Sequence, residues 1–357
     1  MINQGTMFTG NVFMFYSYDV GDDINLEKIK ENHVLTQKAV TPSKHFKNYH
    51  IPLNIELPQP QSDADKQCIS AKLHNFGVMS LVYKVPFHES LESLRVRIND
   101  IESEYSKQSI VDAGKIFKLI KDYIKQSRFF HLRNSYVVIQ VNPTDVDTKK
   151  LKDVHGSTIA SVLRFETETL SEYQKNEILD SAIGYYRGDL IIIDTEAAFV
   201  YDDTYEEYLE FFEFGTIQQL ELQFFDRVLD LQLNSVYKRE VKTLPFTAYL
   251  PFIGSSIHDP TDDLGKLRVD ISVITEQLES SIKLPGEAFY SELYSLIVEK
   301  LDIKNWRDSI NRKLEIVVDI RNVYQNKVDA IREDLLSVLI IVLIAIELGL
   351  GILSYFK

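Results

Sequence analysis

Leu335–Phe356 reads LLSVLIIVLIAIELGLGILSYF, apolar except for Ser337, Glu347, Ser354 and Tyr355. At ~1.5 Å per residue this stretch makes a helix of ~33 Å, enough for a hydrocarbon core of ~30 Å. Only Lys357 follows it. The expectation is therefore a tail anchor: one transmembrane helix over 335–356, with everything upstream held at one membrane. Six basic residues (Arg307, Arg312, Lys313, Arg321, Lys327, Arg332) precede the span and one follows. The positive-inside rule puts the large N-terminal part in the cytoplasm, at the inner membrane if the cell is bacterial.

Working outward, the rest of the chain has the composition of a folded soluble protein. Of 357 residues, 45% are hydrophobic and 26% charged, ordinary values for globular domains. A mean hydropathy of -0.13 excludes a polytopic transporter, because the apolar material is concentrated in one place. The net charge of -14 argues against phosphate-backbone binding, so no nucleic-acid partner is expected. The single cysteine, Cys68, rules out an intramolecular disulfide. The first twenty residues lack a basic region, a long apolar run and a small-residue cleavage site, so they do not read as a secretory signal.

Up to residue 202 the pattern is mixed, and the fold class expected is α+β or α/β in one domain. Val12–Tyr18 reads as a buried strand, and Asp19–Asp23 as the turn after it. Four prolines over 40–62 mark a loop or edge region. Ile69–Leu73 and Val78–Val85 read as a hairpin, Glu89–Glu104 and Ser109–Gln126 as helix, and Tyr136–Val141 as a further strand. Ile183–Tyr201 reads as a second hairpin turning near Asp194–Glu196.

From residue 203 to 334 the chain reads as a long-helix bundle. Asp202 and Asp203 suit the cap of a helix over Tyr205–Lys238, which is apolar on more than one face. Asp262 caps another, and Glu287–Leu301 is short and amphipathic. In the last helix Ile310, Leu314, Val317, Tyr324, Val328, Ile331 and Leu335 follow steps of four and three, broken at Arg321. Such a seam over 305–334 predicts a coiled coil running into the span and self-association into a homo-oligomer. Arg321 either specifies register, or the seam rotates and Ile320 replaces it.

Few residues carry chemistry. Glu347 is the one to ask about, since an ionised carboxylate near mid-bilayer costs ~2.5 kcal/mol or more. It either reaches the far interface, locks two helices together, or handles an ion or proton. Ala345 and Gly349 beside it form a small-xxx-small pair that allows close helix approach. The acidic run Asp202–Glu207 lacks the spacing of a calcium loop and suits a helix N-terminus. Eight scattered histidines give no zinc pattern, and no nucleotide-binding or nucleophile-elbow motif occurs. No cofactor, metal or catalytic residue is expected.

The segments IQQLELQFFDRVLDLQL (217–233), FYSELYSLIVEKLDI (289–303), KLEIVVDIRN (313–322) and LIAIEL (343–348) occur in that order. In this the chain resembles, over 185–357, the required-for-meiotic-nuclear-division family. That resemblance implies a membrane-anchored, oligomeric helical protein, with eukaryotic relatives in mitochondria that support translation, and it names no reaction. The architecture is also similar to CorA-type cation channels, but with one span instead of two and no Gly-Met-Asn signature. The reading reached is a tail-anchored scaffold or adaptor. It self-associates through its C-terminal helices and presents the cytoplasmic α/β domain to an unidentified protein, with membrane lipid as its other partner. The alternatives are an ion-conducting or ion-gated oligomer with Glu347 in the path, and an enzyme whose substrate the residues do not select.

Overall fold

The near-continuous apolar run that begins the chain becomes its central strand, β1 (Phe8–Asp19). Alternate side chains of a strand point to opposite faces, and both faces of β1 are buried. Val12, Met14, Tyr16 and Tyr18 enter one core, while Phe13, Phe15 and Ser17 are buried on the other side. In the computed structural model, which describes residues 5–39, 52–57, 67–129, 133–239, 262–281 and 288–355, the chain divides into two compact units. The first comprises 1–224 and 276–306; the second comprises 225–275 and 307–357.

The first unit is built on a mixed sheet of eight strands. These are β1, β3 (Leu53–Asn54), β4 (Gln67–Leu73), β5 (Val78–Glu89), β7 (Arg133–Val141), β8 (Ala182–Ile183), β9 (Leu190–Ile193) and β10 (Ala197–Tyr201). Their order is β3-β4-β5-β1-β7-β10-β9-β8. Only β7 and β10 are parallel, with Val137 opposite Ala197; every other pairing is antiparallel. The two expected hairpins form as β4–β5 and β9–β10. A separate two-stranded ladder pairs β2 (Asp23–Ile24) with β6 (Ile124–Lys125). Of the proline-rich stretch, 40–51 and 58–62 lie outside the described residues.

One face of the sheet carries α2 (Leu91–Ile120), α3 (Thr148–Leu163) and α4 (Glu172–Leu179), with the short α1 (Leu26–Glu31) near the β2–β6 ladder. Sequence periodicity gives two helices over 89–126, but α2 is one helix of 30 residues. Ser109 in its middle is satisfied: its Oγ lies 2.7 Å from Tyr18 Oη on β1 and donates to Ser106 O at 2.8 Å. It stops short of Gln126 because Ile124 is taken into the ladder with Ile24. α3 and α4 have no sequence-based counterpart. Gly156 lets them close up, since a Cβ there would lie 2.8 Å from Leu179 Cδ1.

The other face is covered by the first part of α5 (Glu206–Arg239) and by α7 (Ala288–Lys300). Phe212 stacks on Tyr136 at 5.3 Å, Phe211 stacks on Tyr290 at 5.6 Å, and Ile217 and Leu220 bury Val78. With helices on both sides, the sheet is the middle of three layers.

The second unit contains the rest of α5, most of α6 (Asp262–Ser281), and α8 (Ile303–Tyr355) from residue 307 on. Leu229, Leu233, Ile271, Ile310, Leu314 and Val317 are buried there. Lys313 Nζ lies 2.7 Å from a carboxylate oxygen of Asp226 and 2.7 Å from one of Asp230. α8 is a single helix of 53 residues, long and apolar enough at its C-terminal end to cross a membrane.

Candidate functional site

The residues read from the sequence all lie on α8. Ile310, Leu314 and Val317 are buried within the chain's own second unit. Arg321 is exposed, Ile320, Ile331 and Leu335 are half-buried, and the side chains of Tyr324 and Val328 lie outside the described set. Beyond Leu335 no described residue covers the helix: apolar side chains from Leu336 to Leu353 are exposed on every side, Ile341 at 65% and Leu353 at 69%. Glu347, Ala345 and Gly349 share that bare surface, and a Cβ added at Gly349 would meet nothing within 4 Å.

A second place in the molecule escaped the sequence entirely. At the N-terminal ends of the parallel strands β7 and β10, a cavity of about 660 Å³ opens in the first unit. Its walls come from α2, β7, the β9–β10 turn, α5 and the C-terminal ends of α3 and α7. Both helix ends close on a non-glycine residue with left-handed backbone, Phe165 (φ 55°) after α3 and Asp302 (φ 57°) after α7. Left-handed backbone suits the residue that ends a helix, but a side chain there carries strain of order ~1 kcal/mol or more. Amide side chains hold both turns. Asn99 Nδ2 donates to Phe165 O at 2.9 Å, and Gln219 Nε2 donates to Leu301 O at 2.9 Å.

The cavity is charged. Arg133 opens β7, donates from Nη1 to Ser106 O at 2.7 Å and binds Ser106 Oγ, with its guanidinium 5.8 Å from the Tyr16 ring. Lys300, Glu102 and Glu196 also line it. Burial pushes the Glu102 carboxyl up, against the pull of Arg133 and with a further push from Glu196. Asp302 is occupied locally, accepting from Asn305 Nδ2 at 2.6 Å.

Buried charge also lies between the sheet and α5. Glu213 accepts from Lys72 Nζ and Ser80 Oγ, each at 2.5 Å. Burial raises its pKa, but the Lys72 charge and these hydrogen bonds outweigh that and leave the carboxyl below its ordinary value. Two turns along α5, Glu221 is buried with no such partner among the described residues. Burial, then the nearby Asp19, pushes it well up against the pull of Arg128, with Asp22 adding to the rise. Arg128 itself forks onto Asp19 through Nε (2.8 Å) and Nη2 (3.0 Å), binds Asp22, and lies 4.2 Å over the Phe224 ring. Cys68 is held protonated, its thiol pushed up to about 12 by burial. Among the described residues no cluster of three His, Cys, Asp or Glu is placed to hold a metal ion.

The sheet unit carries the family relationship. A family model for the N-terminal domain of the uncharacterized protein MJ0711 matches residues 9–207, more than half of the chain. The chain belongs to the MJ0711 N-terminal domain family. The uncharacterized protein MJ0711 of Methanocaldococcus jannaschii is 22% identical over 265 residues, which cover 71% of this chain and 78% of that protein. No solved structure matches. The MJ0711 match corrects the likeness to the required-for-meiotic-nuclear-division family and, with it, the likeness to CorA-type channels. The family match covers 9–207, mostly the part of the chain that the first of these likenesses left unmatched. The misreading has a physical cause: apolar and acidic residues at helical spacing recur in any amphipathic helix that meets a membrane, so their order carries little descent.

Proposed function

We propose that the chain is a tail-anchored membrane adaptor, with α8 crossing the bilayer over 335–356 and the sheet unit facing the cytoplasm to bind a protein partner. The observation that carries this reading is the bare apolar surface of α8. No described residue covers any of its most apolar stretch of 18 residues, whose mean hydropathy is 2.8. Exposed apolar area of that extent is unfavourable in water by ~25 cal/mol per Å², so a membrane or another protein must cover it.

Self-association belongs to the same reading. Helix 305–334 pairs with that of a second copy through the part of the seam beyond Val317, and Ala345 and Gly349 let the spans approach. Glu347 then faces the partner helix and avoids lipid, which removes a cost of ~2.5 kcal/mol or more. Native mass of the full-length protein in mild detergent, beside a chain ending at Glu333, tests both parts. A defined oligomer that weakens without the span supports the reading. A chain that stays in the aqueous phase at full length removes the anchor. Ion flux through liposomes that disappears in Glu347→Gln would replace the adaptor with a conducting oligomer.

A further inference from the structure

The cavity at the N-terminal ends of β7 and β10 has no part in anchoring, and its charges are arranged in an unusual way. Two cations (Arg133, Lys300) and three carboxylates (Glu102, Glu196 and Asp302) line one space; Asp302 is taken up by Asn305, and none of the other four makes an ion pair with a described residue. Arg133 spends its hydrogen bonds on the neutral oxygens of Ser106. Elsewhere in the same unit opposite charges do close up: Lys72 reaches Glu213 at 2.5 Å and Arg97 reaches Glu89 at 2.5 Å. Opposite charges around a concavity that stay apart leave room for a group between them. A guest carrying both signs would satisfy all four, whereas a simple anion or cation would meet repulsion from one pair.

The walls are set before any guest arrives. Phe165 and Asp302 hold left-handed turns at the ends of α3 and α7, pinned through the Asn99 and Gln219 amides. The Gln219 Oε1 also lies 2.9 Å from the Asn134 amide, which ties α5 to β7 at the cavity wall. A preformed site loses less entropy on binding than one that must order itself. A volume of about 660 Å³ falls in the range of small-molecule sites.

We infer that this cavity binds a small zwitterion, an ammonium and a carboxylate on one molecule of about dipeptide size. Arg133 and Lys300 take the carboxylate, and Glu102 and Glu196 take the ammonium. The assignment is independent of whether α8 enters a membrane.

Calorimetric titration of the full-length protein in mild detergent tests it with three probes: L-alanyl-L-alanine, its N-acetyl form and its C-terminal amide. The free dipeptide is expected to bind, and each capped form to bind at least about tenfold more weakly, the worth of one charge-assisted contact. Lys300→Gln should shrink the preference for carboxylate over amide, Arg133 still holding part of it, and keep the preference for free over acetylated amine. Glu102→Gln should do the reverse, with Glu196→Gln, on the exposed β9–β10 turn, as the substitute if Glu102→Gln fails to fold. Absence of binding by the free dipeptide, equal affinity for all three probes, or variants that weaken binding without changing these preferences would each overturn the assignment.

Discussion

Two buried glutamates two turns apart on α5 answer pH in opposite directions. Glu213 is held below its ordinary pKa in the folded chain by Lys72 and Ser80. Its contribution is present above the unfolded pKa of ~4.3 and is lost as pH falls through the folded value. Glu221 is pushed well above, so its neutral form is the stable one. The stability associated with it is full below ~4.3 and is lost as pH rises through the folded value. Glu221→Gln should therefore raise the melting temperature at pH 8, with the gain shrinking to nothing near pH 4. Glu213→Gln should lower the melting temperature at pH 7, a loss of roughly 2 kcal/mol or more in stability, because Lys72 is left largely buried without its counter-charge. Thermal melts of both variants across pH check this, and matching profiles would refute it. None of this is legible in the sequence, where both glutamates look like ordinary members of an acidic helix.

At the scale of elements, the strands and hairpins were readable because their signals are local. β1, β5 and β7 are apolar runs bounded by turn residues, and a strand buried on both faces leaves that trace. The β4–β5 turn shows how tight such a boundary is. Gly77 has φ 97°, and a Cβ there would lie 1.7 Å from Gly21 O. Gly77→Ala should destabilise the sheet unit by ~3 kcal/mol or more, through strain and displacement of the neighbouring turn, read as a fall in urea midpoint. α2 is capped by Ser90, whose Oγ accepts from Ser93 N at 3.2 Å, so Ser90→Ala should cost about 1 kcal/mol in the same assay. α3 and α4 were invisible because their stability comes from contact. A segment with Gly156 and two flanking polar residues has poor intrinsic helicity until Leu179 and the sheet close on it.

At the scale of the molecule, the apolar end of α8 decides the physical behaviour of the chain. Removing residues after Glu333 should move the protein from the detergent phase to the aqueous phase on phase separation, while leaving the circular dichroism of the sheet unit intact. If the truncated chain still partitions with detergent, some other surface carries the affinity. The buried placement of Ile310, Leu314 and Val317 within one chain bears on assembly. These three side chains are taken up inside the chain, so Ile331→Asp should weaken any oligomer more than Ile310→Asp, which would chiefly unfold the helices.

The sequence by itself determined the apolar C-terminal helix, the alternation of strands and helices with two hairpins up to residue 202, and the change to helix after it, because each is written in the period or run length of neighbouring residues. The tertiary structure alone decided the three-layer burial of the sheet, the opposed environments of Glu213 and Glu221, and the charged cavity. Arg133, Glu102, Glu196 and Lys300 are up to 198 positions apart in the chain, and nothing in the spacing of residues records which distant charges will share one space.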